Sequence, residues 1–346
     1  MVFKYRVYVV LLSSLCMVLS QSCPKECICR SNDVKCPASV NFPESFPSNT
    51  EKIVFDEITA VEIPPNAFAH LPNLTSIHFS RCNFGQISSC AFPRKHKNLR
   101  ITFDLAVIGE VKEGAFKELG VTSISFTKST VTTIRAYAFW DIKTDFKLTF
   151  TNTTVHKIES FAFYNVSSEN DLKYEGGTVK YIMNSAIKDC VFTTVKLKRV
   201  LFEKLECDSF LAIVKNNPQV SDIGFLCNCD TEWMKTINPD PLFAMMLATG
   251  SCRGPVELEG ASMKDILENN RVQNCPEVSN VGRTCQRPSQ DIPEFTCTER
   301  IIMGPSGPDG SDNGSGSKKK PPGGHASLTY PCWTLIAAVI IISLNL

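Results

Sequence analysis

The chain has almost no charge of one sign to spare. Its 36 Lys and Arg against 35 Asp and Glu leave a formal net charge of +1 over 346 residues. A nucleic-acid-binding domain carries a marked basic excess, so no nucleic-acid partner is expected. Histidine is scarce, with five in all. None of His70, His78, His96, His156 and His325 stands at metal-ligand spacing or beside a nucleophile motif. The sequence also lacks His-Glu-x-x-His, Gly-x-Ser-x-Gly and a phosphate-cradling glycine loop. Catalysis is therefore not expected, and neither is a metal or cofactor. Apolar residues are not lacking: 43% hydrophobic residues, 22 of them Phe, exclude a disordered chain.

What the sequence has in quantity is cysteine. Sixteen thiols suit an oxidising compartment far better than a reducing one. The N-terminus agrees. Lys4 and Arg6 precede an apolar run from Val7 to Leu19 and small residues at Ser20 and Ser22, the layout of a secretory signal peptide over 1–22. At the other end an apolar tail follows Trp333 to Leu346. Ahead of it lie the small residues Ser311 to Ser317 and a polar spacer from Lys318 to Ser327. That arrangement is the signal for a glycosylphosphatidylinositol (GPI) anchor. It puts the attachment site at Ser315, with Asn313 and Gly314 as alternatives, and 316–346 as the removed signal. The lysines at 318–320 lie on the wrong side for a type I transmembrane segment.

The middle of the chain repeats. Phe55, Phe79, Phe103, Phe126, Phe150, Tyr174 and Leu197 are separated by 24, 24, 23, 24, 24 and 23 residues. An aliphatic follows each after eight residues, from Ile63 to Leu205, and a large apolar residue after thirteen, from Phe68 to Phe210. The alternation in Ile77-His78-Phe79 is that of a half-buried strand. One such coil buries about five large side chains at ~2 kcal/mol each, whereas ordering each residue costs ~1–2 kcal/mol. A lone coil is unstable; stacked coils share their buried faces.

The pattern resembles extracellular leucine-rich repeats. The template Leu-x-x-Leu-x-Leu-x-x-Asn/Cys-x-Leu maps onto Leu74, Ile77, Phe79, Cys82 and Phe84. The resemblance implies an α/β leucine-rich-repeat solenoid, with a curved parallel sheet, an irregular convex side and disulfide-bonded caps. The ladder position that usually holds Asn carries Ile58, Cys82, Ala106, Ser129, Thr153, Gly177 and Val200, so most of the family's side-chain bonds between coils are expected to be missing. The expected layout is an N-terminal cap at 23–50, about seven repeats at 51–226 and a C-terminal cap at 227–276. A small stapled extension at 277–300 and a Gly/Pro/Ser/Lys-rich stalk at 301–315 follow.

In the capping motifs of this family the pairs implied are Cys23–Cys29, Cys27–Cys36, Cys227–Cys252 and Cys229–Cys275. The other cysteines fall as local pairs in sequence, Cys82–Cys90, Cys190–Cys207 and Cys285–Cys297. For Cys82, at the inward ladder position, a free buried thiol is the alternative. Asn-x-Ser/Thr sequons at Asn73, Asn152, Asn165 and Asn313 mark N-glycosylation sites, with Asn152 near the edge of the concave sheet.

Outward positions of the strands form the candidate ligand face: His78, Thr102, Ser125, Thr149, Lys173, Lys196 and Lys198. It is Ser/Thr-rich in the middle and basic toward its C-terminal end. The resemblance implies a non-catalytic adhesion or co-receptor protein on the outer face of the plasma membrane. It would bind an extracellular protein or glycan, be held in the membrane by its lipid anchor and signal through a transmembrane co-receptor. A secreted accessory subunit or innate-immune recognition protein is the alternative.

Overall fold

The computed structural model describes residues 23–92, 98–143, 146–235, 240–269 and 271–272. These form a succession of strands stacked coil upon coil, mostly in parallel register. Strands Lys52–Asp56, Ser76–Ser80, Leu99–Asp104 and Val121–Thr127 start one ladder, which the first half of Lys147–Ile158 continues. It runs on through Ser167–Ile182 and Ile187–Lys198 to Gln219–Ser221. At the N-terminal end Asp33–Cys36 joins it in parallel and pairs with Ile28–Arg30 in antiparallel fashion.

The repeat period places like residues on like residues. Phe55, Phe79, Phe103, Phe126, Phe150 and Tyr174 stack with ring centroids 4.8–5.1 Å apart. That is the inter-strand spacing of a sheet, so one ring per coil makes a continuous buried column. A second column runs through Phe68, Phe92, Phe116, Phe139 and Phe163 at 4.6–5.6 Å. Phe in place of Leu thus adds ring-to-ring contact to simple burial, about 0.5–1.5 kcal/mol per pair.

The return path is more regular than the expected irregular convex side. Thr59–Ile63, Asn83–Ile87, Val107–Val111 and Thr130–Ile134 build a second parallel ladder, continued by the later halves of Lys147–Ile158 and Ser167–Ile182 and by Leu201–Leu205. Short strands Phe139–Trp140 and Phe163–Tyr164 start a third, with Ile187 and Phe210. The corners between faces are left-handed residues in register. One such column holds Glu57, Arg81, Leu105, Lys128, Asn152 and Gly176. Along it, Arg81 and Leu105 N–H groups donate to carbonyls of the following coil, Asp104 and Thr127, at 2.9 Å each. These bonds offset the cost of positive φ in non-glycine residues. Among the described residues α-helix is confined to the C-terminal cap, at Pro241–Thr249 and Met263–Glu268.

Disulfides Cys23–Cys29 and Cys27–Cys36 tie the N-terminal cap, and Cys227–Cys252 ties the C-terminal one. In the latter, Trp233 stacks on Phe243 at 5.6 Å and donates its indole N–H to the Leu205 carbonyl at 3.0 Å, which covers the last repeat. Two expected local pairs are absent. Cys82 and Cys190 are free buried thiols, so neither Cys82–Cys90 nor Cys190–Cys207 forms. Cys82 points inward, its thiol 3.3 Å from the Ser80 carbonyl and 3.6 Å from that of Phe55, while Cys90 lies around the next corner beyond Asn83–Ile87. Cys190 likewise donates inward to the Phe163 carbonyl at 3.3 Å. Nearness in sequence does not bring two thiols together when a strand and a corner separate them. Cys275, Cys285 and Cys297 lie outside the described residues, as do the expected signal peptide, stalk and anchor signal.

Candidate binding face

The register of the first ladder brings the predicted ligand-face residues together. His78 pairs with Thr102, Thr102 with Ser125, Ser125 with Thr149, Thr149 with Lys173 and Lys173 with Lys196. Their side chains alternate with the buried ring column and are partly exposed. Lys198 stands two residues along from Lys196 and is exposed.

The expected basic end is less open than composition suggests. Lys173 pairs with Glu175 at 2.6 Å, Arg199 also reaches Glu175 at 3.0 Å, and Lys196 pairs with Asp171 at 3.1 Å. Hydrogen bonding from Lys173, with the charges of Lys173, Arg199 and Lys198, holds the Glu175 carboxyl below the usual carboxylate range. Lys147 and Lys198 have no ion pair among the described residues. The end of the face is therefore a network with surplus positive charge rather than a bare cationic patch.

Beside that network lies a recess of about 380 Å³. Its lining includes Lys173, Glu175, Lys196 and Lys198 from the face, Pro218 and Val220 beside the last strand, and Met245 of the capping helix. Local sequence builds the helix that carries Met245. Asp240 accepts from the Phe243 N–H at 2.9 Å as N-cap, and Pro241 takes the first helical position, where no N–H is needed. Met245 and Val220 were not among the predicted residues. Nothing in the repeat pattern signals that a cap helix packs against the last strand of the face.

The ladder position is only partly empty. The Ser129 hydroxyl donates to the Phe103 carbonyl at 3.2 Å, and the Thr153 hydroxyl to that of Phe126 at 3.0 Å. Cys82 does the same more weakly toward Phe55. At these three positions a short polar side chain makes the bond between coils that Asn makes elsewhere.

Of the sequons, Asn73 is exposed in a turn and Asn152 is exposed at a left-handed corner. Asn165 is half-buried and donates its side-chain amide to Asp141 at 2.7 Å. Asn313, Gly314 and Ser315 are outside the described residues. Among the described residues no group of acidic, His and Cys side chains could hold a metal ion, and no helix is long and apolar enough to cross a membrane.

The repeats, with their strand registers and paired aromatic columns, are leucine-rich repeats. The BspA-type leucine-rich-repeat region, in six copies, matches residues 43–107 and 86–213. Among solved structures, human 5T4 (Wnt-activated inhibitory factor 1, trophoblast glycoprotein) is similar at 13% identity, covering 71% of this chain and 97% of its own, with a TM-score of 0.35. No curated protein matches the chain in sequence. The fold is a leucine-rich-repeat solenoid, an architecture that suits a protein-binding, non-enzymatic role, and its disulfides fit the secretory pathway or the extracellular space.

Proposed function

We propose that this is a non-catalytic cell-surface adhesion or co-receptor protein, carried to the outer face of the plasma membrane and held there by a lipid anchor at Ser315. Its partner is an extracellular protein that docks on the first ladder, centred on Thr149, Lys173, Lys196 and Lys198. One observation carries the reading: the recess beside Lys196 is lined both by the apolar Val220, Pro218 and Met245 and by the cationic Lys173, Lys196 and Lys198. That combination suits an acidic side chain flanked by apolar ones. A sulfated glycan would need open lysines, and Lys173 and Lys196 are already neutralised by Glu175 and Asp171. With the chain outside the cell, signalling would need a transmembrane partner.

The full chain displayed on cultured animal cells tests this in two parts. Phosphatidylinositol-specific phospholipase C should release it into the medium; protein secreted before treatment would favour an accessory subunit instead. A screen against extracellular proteins should yield a ligand whose binding falls at least tenfold with Lys196→Glu or Met245→Arg. A ligand indifferent to both substitutions, or one displaced wholly by heparin, counts against the protein-docking face.

A further inference from the structure

The second ladder has an open end. Its first strand, Thr59–Ile63, pairs on one side with Asn83–Ile87. On the other side it meets, among the described residues, a single bridge between Ile58 and Ser39, with the Thr59 N–H donating to the Ser39 carbonyl at 2.8 Å. In the following coils the N–H groups of Ser88, Lys112 and Arg135 donate to carbonyls of the coil before, at 3.0 Å each. The equivalent residue of the first coil is Pro64, which has no N–H to leave unpaired. From Ala60 to Ile63 the edge keeps its backbone donors and acceptors, and such an edge is a template for another extended chain.

A recess of about 760 Å³ lies beside that strand. Ala60, Val61 and Glu62 line it together with the segment 40–45 and cap residues 23–26, and the disulfides Cys23–Cys29 and Cys27–Cys36 brace the cap side. Its valines are bare: Val40 is 76% and Val61 84% exposed. Gly85, equivalent to Val61 in the next coil, has no side chain to lean over it, and a Cβ there would stand 2.6 Å from the Val61 carbonyl oxygen. Two apolar side chains this exposed in one recess form a surface that gains from being covered.

Charge selects the occupant. Glu26, Glu44 and Glu62 line the recess against one lysine, Lys25, and none of the three carboxylates has an ion pair among the described residues. Glu62 is also oriented. Its Oε2 accepts from the Gln86 amide at 2.7 Å and from the Ser88 hydroxyl at 2.6 Å, both neutral donors, and its Oε1 accepts from neither. Carboxylates without cations, beside exposed valines, complement basic and apolar side chains and repel an acidic partner.

We propose that this recess is a second docking surface, which takes an extended segment of another extracellular protein with Lys or Arg beside large apolar residues. The segment lies along Thr59–Ile63 as an added strand, its apolar side chains against Val40 and Val61 and its cations toward Glu44 and Glu62. The surface shares no residue with the face centred on Lys196. A left-handed corner at Glu57 separates its strand from Lys52–Asp56 of the first ladder, so the two partners can be held together.

Peptide selection on the full chain tests this. A random nonapeptide phage library is panned on animal cells displaying the protein, with counter-selection on cells displaying Val61→Arg, a change at an exposed position that leaves the core untouched. Enriched peptides should carry Lys or Arg next to large apolar residues. A synthetic peptide of the consensus sequence should bind Val61→Arg and Glu44→Lys about tenfold or more weakly, and Lys196→Glu as tightly as wild type. Methylating one alternate set of its backbone nitrogens should abolish binding and methylating the other should not, because strand pairing uses every second N–H. A selection in which no peptide separates wild type from Val61→Arg, a consensus without basic residues, or binding that survives both methylations overturns the proposal. So does a dimer in sedimentation that Val61→Arg dissociates, since the occupant is then a second copy of this chain.

Discussion

The Tyr174 hydroxyl donates to the Thr153 carbonyl, 2.7 Å away in the preceding coil. Tyr174 replaces Phe at the end of the first ring column, and its buried hydroxyl needs a partner. Gly177 makes room. At φ 99° a side chain there would strike the backbone of Thr153. Tyr174→Phe should lower stability by about 0.5–1.5 kcal/mol, the net value of one hydrogen bond, and Gly177→Ala should cost more, because it adds both a clash and a disfavoured φ. Urea denaturation of both variants checks the order; Gly177→Ala as stable as wild type would contradict it.

Thr153 is itself a bridge between coils, through its hydroxyl to Phe126. Thr153→Val keeps the shape and removes the donor, so it should destabilise by about 1 kcal/mol, whereas Thr153→Ser should cost less. The sequon at Asn152 survives both changes, so glycosylation does not confound the melts.

Ring stacking at Phe103 links the Phe79 and Phe126 coils at 4.8 and 4.9 Å. Phe103→Ala should cost about 3–5 kcal/mol through the cavity it leaves, and Phe103→Leu appreciably less. Equal losses for the two would mean that ring contact, not volume, dominates the column.

Burial pushes the Cys82 thiol up to about 11 and the Cys190 thiol up to about 12. Neither forms thiolate at neutral pH, and neither is open to reagent. In the native protein Cys82 and Cys190 should show almost no reaction with a thiol probe at pH 8, and both should become labelled on unfolding, as peptide mapping of the labelled chain would show. Rapid labelling of the folded chain would show that the thiols are accessible.

Burial also lowers the pKa of His70, whose Nε2 lies 3.2 Å from the Phe46 carbonyl. The folded state then resists protonation while the unfolded chain takes up a proton near pH 6.5. Stability should accordingly be full above that value and decline as pH falls below it. Depressed carboxylates at Glu62, held by Ser88 and Gln86, and Glu110, held by Lys112 and Arg135, add a second loss below about pH 4.5. His70→Gln should flatten the first decline and leave the second. A variant whose melting temperature still falls between pH 7 and 5.5 as in wild type would refute the assignment to His70.

The repeat period, the buried ring columns and the ligand-face register were legible in the sequence, because each is a one-dimensional pattern. Residues 24 apart must stack once the chain coils, so His78, Thr102 and Ser125 fall in line without any further information. Ladder chemistry was legible in part. Asn is replaced at that position, but Ser129 and Thr153 are long enough to reach a carbonyl that Ala106 cannot.

Which cysteines meet, and which side chains wall the recess, only the tertiary structure decided. Cys82 and Cys90 are eight residues apart, yet one faces the core and the other turns a left-handed corner. That difference depends on which face of the coil each backbone segment joins, not on spacing. Met245 and Val220 line one recess because a capped helix closes the last repeat, and a periodic pattern holds no record of what packs against its end. Sequence period sets the contacts between equivalent positions; contacts between non-equivalent ones arise from how the coils bend and are capped.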